Sequence, residues 1–175
     1  DSGGCRMNAV DRRYMEVLKQ ICKRLRDTEV CWVLTGSLAL ALQGVRTDVH
    51  DIDIQSDREG AYEVERLFAD SVAKKVAFSS TDRIRSHLGA VEIEGVTVEI
   101  MGDIETRRED RSWQPPPDLE RHKRSIEVEG TRVPVLSLNY EYQAYLRLGR
   151  VRKAKRIREA ILAQELRGSE TSDYA

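Results

Sequence analysis

Along residues 8–26 the apolar positions Val10, Tyr14, Val17, Leu18, Ile21 and Leu25 recur at helical spacing, and Arg12, Arg13, Lys19, Lys23 and Arg26 fall on the opposite side. This predicts an amphipathic helix with Asn8 placed as its cap. Val30–Leu34 is a short β-branched and aromatic run, the pattern of a buried strand. It stops at Thr35-Gly36-Ser37, after which Leu38–Leu42 reads as a short helix closed by Gly44. Asp51–Gln55 alternates acid and isoleucine and predicts a second strand. Glu59–Ala69 reads as a helix with Tyr62, Leu67 and Phe68 turned inward. Two hairpins follow, Leu88–Met101 turning at Glu94-Gly95 and Arg124–Val135 turning at Glu129-Gly130, with Pro134 suited to an edge position. Between them residues 105–117 are charged and end in three prolines, as an exposed connection would. A helical stretch from about Ser137 to Arg167 breaks near Gly149, and Gly168–Ala175 is polar enough to be a disordered tail.

The composition of the 175-residue chain supports a packed core: 40% of residues are hydrophobic and 34% charged, which excludes a wholly disordered protein. Lys plus Arg total 29 against 30 Asp plus Glu, so no global basic field exists to draw nucleic acid from a distance. Apolar runs such as Val30–Leu34 are far too short to cross a bilayer. No charged-then-apolar leader is visible, and the expected location is cytoplasmic. Cys5, Cys22 and Cys31 form no CxxC pair, which argues against a disulfide framework or a zinc site.

Candidate chemistry begins at Gly36-Ser37, followed thirteen residues later by Asp51-Ile52-Asp53. In a strand Asp51 and Asp53 project from one face while Ile52 and Ile54 enter the core. Two carboxylates about 6–7 Å apart at Cα repel one another at neutral pH unless a divalent cation lies between them, and hard oxygen ligands select Mg²⁺ or Mn²⁺. In the strand Val96–Met101, Val98 and Ile100 share a face with Val96, which leaves Glu99 on the other as an acid in a strand that otherwise reads as core. For either aspartate alone a solvated strand face is the simpler account, and for the two together it remains competitive. The third acid downstream of Gly36-Ser37 tips the balance. The strand-to-helix turn at Gly36-Ser37 would present unpaired N–H groups to a phosphate, although an ordinary serine-capped turn would look the same in isolation.

Gly36-Ser37, the spacer, Asp51-x-Asp53 and the later strand acid Glu99 together resemble the signature of the nucleotidyltransferase superfamily that includes DNA polymerase beta. The likeness is greatest to small antibiotic nucleotidyltransferases, minimal nucleotidyltransferases and AbiEii-like proteins. It covers about Trp32–Met101 and extends more weakly through the C-terminal helices. The resemblance implies an α/β (α+β) fold, a mixed β-sheet flanked by helices. The sequence divides into a tag or disordered N-terminus over 1–7, a catalytic domain over 8–136, a C-terminal helical segment over 137–167 and a disordered tail over 168–175. It implies two metal ions, Mg²⁺ or Mn²⁺, held by Asp51, Asp53 and Glu99 as catalytic and metal-binding residues. Gly36 and Ser37 would hold the outer phosphates of a nucleoside triphosphate, with Arg46 as a further phosphate ligand. The implied reaction moves a nucleoside monophosphate, AMP from ATP, onto a hydroxyl of a small molecule or a protein side chain. At this length the acceptor pocket is expected to be shallow or completed by a second subunit, as in a homodimer. Relatives carry Arg and then Ser or Thr just before the first aspartate; here Arg46 and Thr47 come earlier, and Val49 and His50 take the nearer places.

Other conspicuous residues have plainer readings. His50, His87 and His122 form no metal-ligand spacing, and Cys31 and Trp32 read as core. Arg147, Arg150, Arg152, Lys153, Lys155, Arg156 and Arg158 place seven cations in twelve positions, which favours a solvated helix face over an RNA-binding wall. Tyr140, Tyr142 and Tyr145 could stack a base but are equally explained by packing. The alternative to an enzyme is an antitoxin-like or regulatory module that keeps the fold and acts by binding; clustered, repelling carboxylates argue against it.

Overall fold

The structure is a computed structural model that describes residues 10–172. In chain order it runs α1 (Arg12–Leu25), β1 (Trp32–Thr35), α2 (Gly36–Leu42), β2 (Ile52–Ser56) and α3 (Arg58–Leu67), then a 3-10 turn at Ala69–Ser71. The strands β3 (Val72–Ser80), β4 (Ile84–Ile93), β5 (Val96–Arg107) and β6 (Trp113–Gln114) follow, then α4 (Leu119–His122), β7 (Lys123–Val128), β8 (Thr131–Leu136), α5 (Leu138–Arg147) and α6 (Val151–Ser172). This is the mixed, helix-flanked sheet expected of a nucleotidyltransferase fold. Its strand order is β3-β4-β5-β2-β1-β8-β7, with β6 paired to the far end of β5.

Strand alternation sorts the residues. Leu34, Ile52, Ile54, Val98, Ile100 and Val135 meet α1 and α3 in one dry core, where Val17, Leu18, Ile21 and Val64 complete the packing. α2 wedges beside this layer, and Leu40 and Val45 join Leu138 and Ile157 in a second, smaller core that docks the C-terminal helix pair. Both hairpins turn where expected. Glu94-Gly95 and Glu129-Gly130 all have positive φ, which matches the right-handed twist of the flanking strands. Among the described residues no helix is long and apolar enough to cross a membrane.

Several expectations are corrected. The first helix is capped by Asp11, whose side chain accepts from the Arg13 N–H; Asn8 lies outside the described residues, as do Asp1–Met7 and Cys5. Residues 72–80 form a strand that the sequence pattern does not reveal, because only Val76 within it is buried. Tyr62 is exposed rather than turned inward, although Phe68 is buried. Pro134 does not lie on an edge, since β8 sits between β7 and β1. The proline is accommodated because the β1 ladder touches β8 only at Leu34↔Val135. The 105–117 segment is partly structured. Arg85 pairs with Glu105 at 2.7 Å, and Trp113 lies within cation–π distance of Arg85 (4.4 Å) and Arg107 (5.0 Å). Beyond Gly168 the chain remains helical to Ser172.

Candidate active site

The face of the sheet away from α1 and α3 holds the acids. β2 runs antiparallel to β1 and parallel to β5, so Thr35 stands opposite Asp53 and Asp53 opposite Glu99. A slip of one residue in either ladder would turn these side chains into the apolar core, so the same alternation that buries Ile52 and Ile54 fixes the acids together. Asp51 sits just before β2 and is half-buried, and its charge reaches Asp53. The chain entering β2 is anchored by the Tyr14 hydroxyl of α1, which donates to the His50 carbonyl at 2.8 Å.

Asp53 is the electrostatic centre. Burial raises its carboxyl, the charges of Glu99 and Asp51 and a hydrogen bond with Glu99 add to the shift, and it is pushed up to about 7. Gly36 begins α2 at a φ of 73°, a left-handed conformation, and a Cβ there would collide with Asp53 Oδ2. Only glycine therefore lets the β1–α2 turn lie directly against the aspartate. Ser37 follows, half-buried, at the second position of α2.

Glu141, a residue the motif does not include, closes the site from beneath. Its carboxylate on α5 is buried, accepts from the Thr35 hydroxyl and is hydrogen-bonded by the Gly36 N–H. Burial and the nearby Asp53 push it up to about 7, opposed by those hydrogen bonds and by Lys153. The residue was legible in principle: Leu138, Glu141, Tyr142 and Tyr145 follow the three-and-four spacing of one helix face, with a carboxylate inside the apolar stripe. Tyr145, raised to about 12 mainly by burial, stays a neutral hydroxyl.

Asp53, Glu99, Glu141 and Gly36 line a cavity of about 280 Å³ between the sheet and α5, continued along β5 by Met101, Ile104 and Thr106. Part of the basic run turns toward it. Arg147 is half-buried over the Tyr140 ring (5.6 Å), Arg150 lies over Tyr145 (5.8 Å), and Lys153 is lowered by burial and by Arg150 and Arg156. Arg152, Lys155, Arg156 and Arg158 stay exposed on the solvated face. Arg46 is not brought to this cavity. It is exposed and lines a separate cleft between α2 and the C-terminal half of α6, where its carbonyl receives Arg156 Nη1 at 3.4 Å. The histidines are also elsewhere: His87 is 3.3 Å from the Tyr62 hydroxyl, and His122 stacks on Tyr140 at 4.6 Å between centroids. Cys22 and Cys31 are free.

Among the described residues no three Asp, Glu, His or Cys side chains form a preassembled cation cage. Asp53 and Glu99 nonetheless fit a divalent cation: both offer hard oxygen donors, Asp53 is largely desolvated, and the charge of Glu99 disfavours the ionised form of Asp53 unless a counter-charge lies between them.

Residues 17–162 match the family model described as aminoglycoside-2''-adenylyltransferase. A crystal structure described as a nucleotidyltransferase from Thermotoga maritima is 54% identical over 89% of this chain and 97% of that one, with a TM-score of 0.78. ANT(2'')-Ia in complex with adenylyl-2''-tobramycin shares the fold at a TM-score of 0.54 and 16% identity, covering 93% of this chain and 99% of that one. The lincomycin-bound lincosamide antibiotic adenylyltransferase LnuA does so at 0.54 and 12% identity, covering 87% and 99%. No curated protein matches the chain.

Proposed function

Because the chain belongs to the aminoglycoside-2''-adenylyltransferase family and is thus a nucleotidyltransferase, we propose that it transfers AMP from ATP to a hydroxyl group with release of pyrophosphate. One observation carries the reading: Asp53 and Glu99 stand opposite each other across β2 and β5, directly against the glycine turn that opens α2. The acceptor oxygen forms a bond to the α-phosphorus as the bond to the pyrophosphate oxygen breaks in line, and the hydroxyl proton is lost to water. Asp51, Asp53 and Glu99 would hold two divalent cations, Mg²⁺ or Mn²⁺, which when bound stabilise the entering and leaving oxygens. Gly36 lets the β1–α2 backbone approach the aspartate, and Ser37 supplies an N–H and a hydroxyl for the departing phosphates. Thr35 and Glu141 hold this turn in place, so the donor meets a preset surface. The acceptors named for the structurally similar enzymes, tobramycin and lincomycin, make hydroxyl-bearing antibiotics the first class to assay.

The test is a pyrophosphate-release screen of the four nucleoside triphosphates with Mg²⁺ against a panel of hydroxyl acceptors that includes both antibiotics. Acceptor-dependent release with ATP is expected. ATP that neither shifts the melting temperature in Mg²⁺ nor releases pyrophosphate with any acceptor would overturn the assignment.

A further inference from the structure

The C-terminal helix α6 presents three large apolar side chains to solvent: Val151, Leu162 and Leu166 are 65%, 46% and 67% exposed. Its buried positions are Ala154, Ile157 and Ala160, packed in the small core with Leu40 and Leu138. At 3.6 residues per turn Val151, Leu162 and Leu166 fall within about one-sixth of a turn of one another, on the side away from that core. α6 therefore carries two apolar faces, and the fold covers one.

The helix also extends past its packing. Its last side chain in the small core is Ile161, after which every residue from Leu162 to Ser169 is exposed and the chain stays helical to Ser172. Over that stretch Gln164 donates to the Gln43 carbonyl at 2.9 Å. Exposed helical turns are marginal in water, because most helical stability comes from packing an apolar face.

Charge is divided along the same helix. Residues 151–158 contain Arg152, Lys153, Lys155, Arg156 and Arg158 and no acid, whereas residues 159–172 contain Glu159, Glu165 and Glu170 against Arg167 alone. Cations in the first turn oppose the helix dipole, so a lone helix gains nothing from this order. Arg152, Lys155, Arg158, Glu159 and Glu165 are exposed, and among the described residues none of the five lies within ion-pairing distance of an opposite charge.

An antiparallel second copy of α6 satisfies the stripe and the charges together. A two-fold axis between Arg158 and Glu159 sets Val151 against Leu166 of the other copy and lays the aliphatic stem of Lys155 on Leu162. The same register pairs Arg158 with Glu159 and Arg152 with Glu165, each contact occurring twice. A parallel pair would put cation on cation, and a polyanion on the basic half would leave Leu162 and Leu166 uncovered. We propose that this face of α6 is a self-association surface and that the protein forms a two-fold dimer through antiparallel α6 helices in this register. The dimer is independent of the nucleotidyl-transfer reading. One helix per chain makes a small interface beside the roughly 1,200–2,000 Å² of stable complexes, so the association is reversible.

The test is sedimentation velocity of the full chain from about 5 to 500 μM, the range in which a weak dimer dissociates. A reversible monomer–dimer equilibrium is expected. Leu166→Glu, at an exposed position, should weaken it about tenfold or more while thermal melting of the dilute monomer is unchanged. Arg152→Glu and Glu165→Arg should each weaken it about fivefold, because each turns two attractive pairs into repulsive ones. An equimolar mixture of those two variants should associate within about twofold of the parent, since each copy then faces the opposite charge on the other. A chain that stays monomeric throughout would overturn the proposal and leave the stripe to solvent or another partner. A dimer indifferent to Leu166→Glu would overturn it by moving the contact to another face, and a mixture no better than either variant alone would overturn the antiparallel register.

Discussion

On the side of β2 and β5 that meets α1 and α3, Ile52, Ile54 and Ile100 are fully buried, and Val98 is 1% exposed. One residue out of phase on the same two strands, Asp53, Gln55, Glu99 and Met101 face the cavity beside α5. Backbone, register and neighbours are shared, so the difference lies in what covers each face. The first side is closed by the apolar faces of α1 and α3 and contributes stability. The second is covered by one helix carrying its own carboxylate, and it stores electrostatic repulsion that only a proton or a cation relieves. The folding energy of the dry face holds the other in an arrangement it would not adopt alone.

Separating the two faces by mutation gives the sharpest contrasts. Asp53→Asn should reduce transfer by about a thousandfold or more, the scale of losing a charge that stabilises the transition state, while the melting temperature is unchanged or rises because repulsion with Glu99 and Asp51 is removed. Pyrophosphate release alongside thermal unfolding checks both, and an unaffected rate would remove Asp53 from the chemistry. Ile54→Ala should do the reverse, lowering stability by about 2–5 kcal/mol in urea unfolding with little change in kcat per folded molecule.

Gly36→Ala touches the seam between the faces. Its positive φ and the collision with Asp53 Oδ2 should cost about 1–2 kcal/mol of stability and about tenfold or more in activity. A silent substitution would show that the turn is not pressed against the aspartate.

Asp53 and Glu141 both bind a proton more tightly folded than unfolded, with ordinary values of 3.8 and 4.5 raised to about 7. The extra stability is therefore full below about pH 4. It is lost as pH rises toward 7, and is flat beyond. In divalent-free buffer the melting temperature should fall between pH 5 and pH 7.5, and the stabilisation by added Mg²⁺ should be larger at the upper pH. Glu141→Gln, the smallest effect expected, should flatten part of that slope. It should leave the Mg²⁺ increment largely in place, because Glu141 supports the turn and the cation rests on Asp53 and Glu99. Equal slopes in the variant and the parent would remove Glu141 from the titration.

Legibility in the sequence follows the range of the interactions. The alternation around Asp51–Gln55 and Val96–Met101 identified the faces, and Glu94-Gly95 and Glu129-Gly130 identified both hairpin turns, because each depends on a few adjacent residues. β3 was not legible, since an edge strand with one buried valine carries no alternation. β5 runs on to Arg107 and pairs with β6 through contacts that Trp113, Arg85 and Arg107 make only once folded. Arg46 lay near the motif in sequence yet faces another cleft, whereas Glu141, 106 residues beyond Thr35, bonds to it directly.

The amino-acid order alone determined which residues could share a strand face, where the chain could turn left-handed and how the acids were spaced, because steric rules between neighbouring residues set those properties. Tertiary structure decided that Glu99 stands opposite Asp53, that α5 brings Glu141 beneath Gly36, and that burial lifts the Asp53 and Glu141 carboxyls toward neutrality. Those outcomes depend on excluded water and on the proximity of charges distant along the chain, which exist only once the layers have packed.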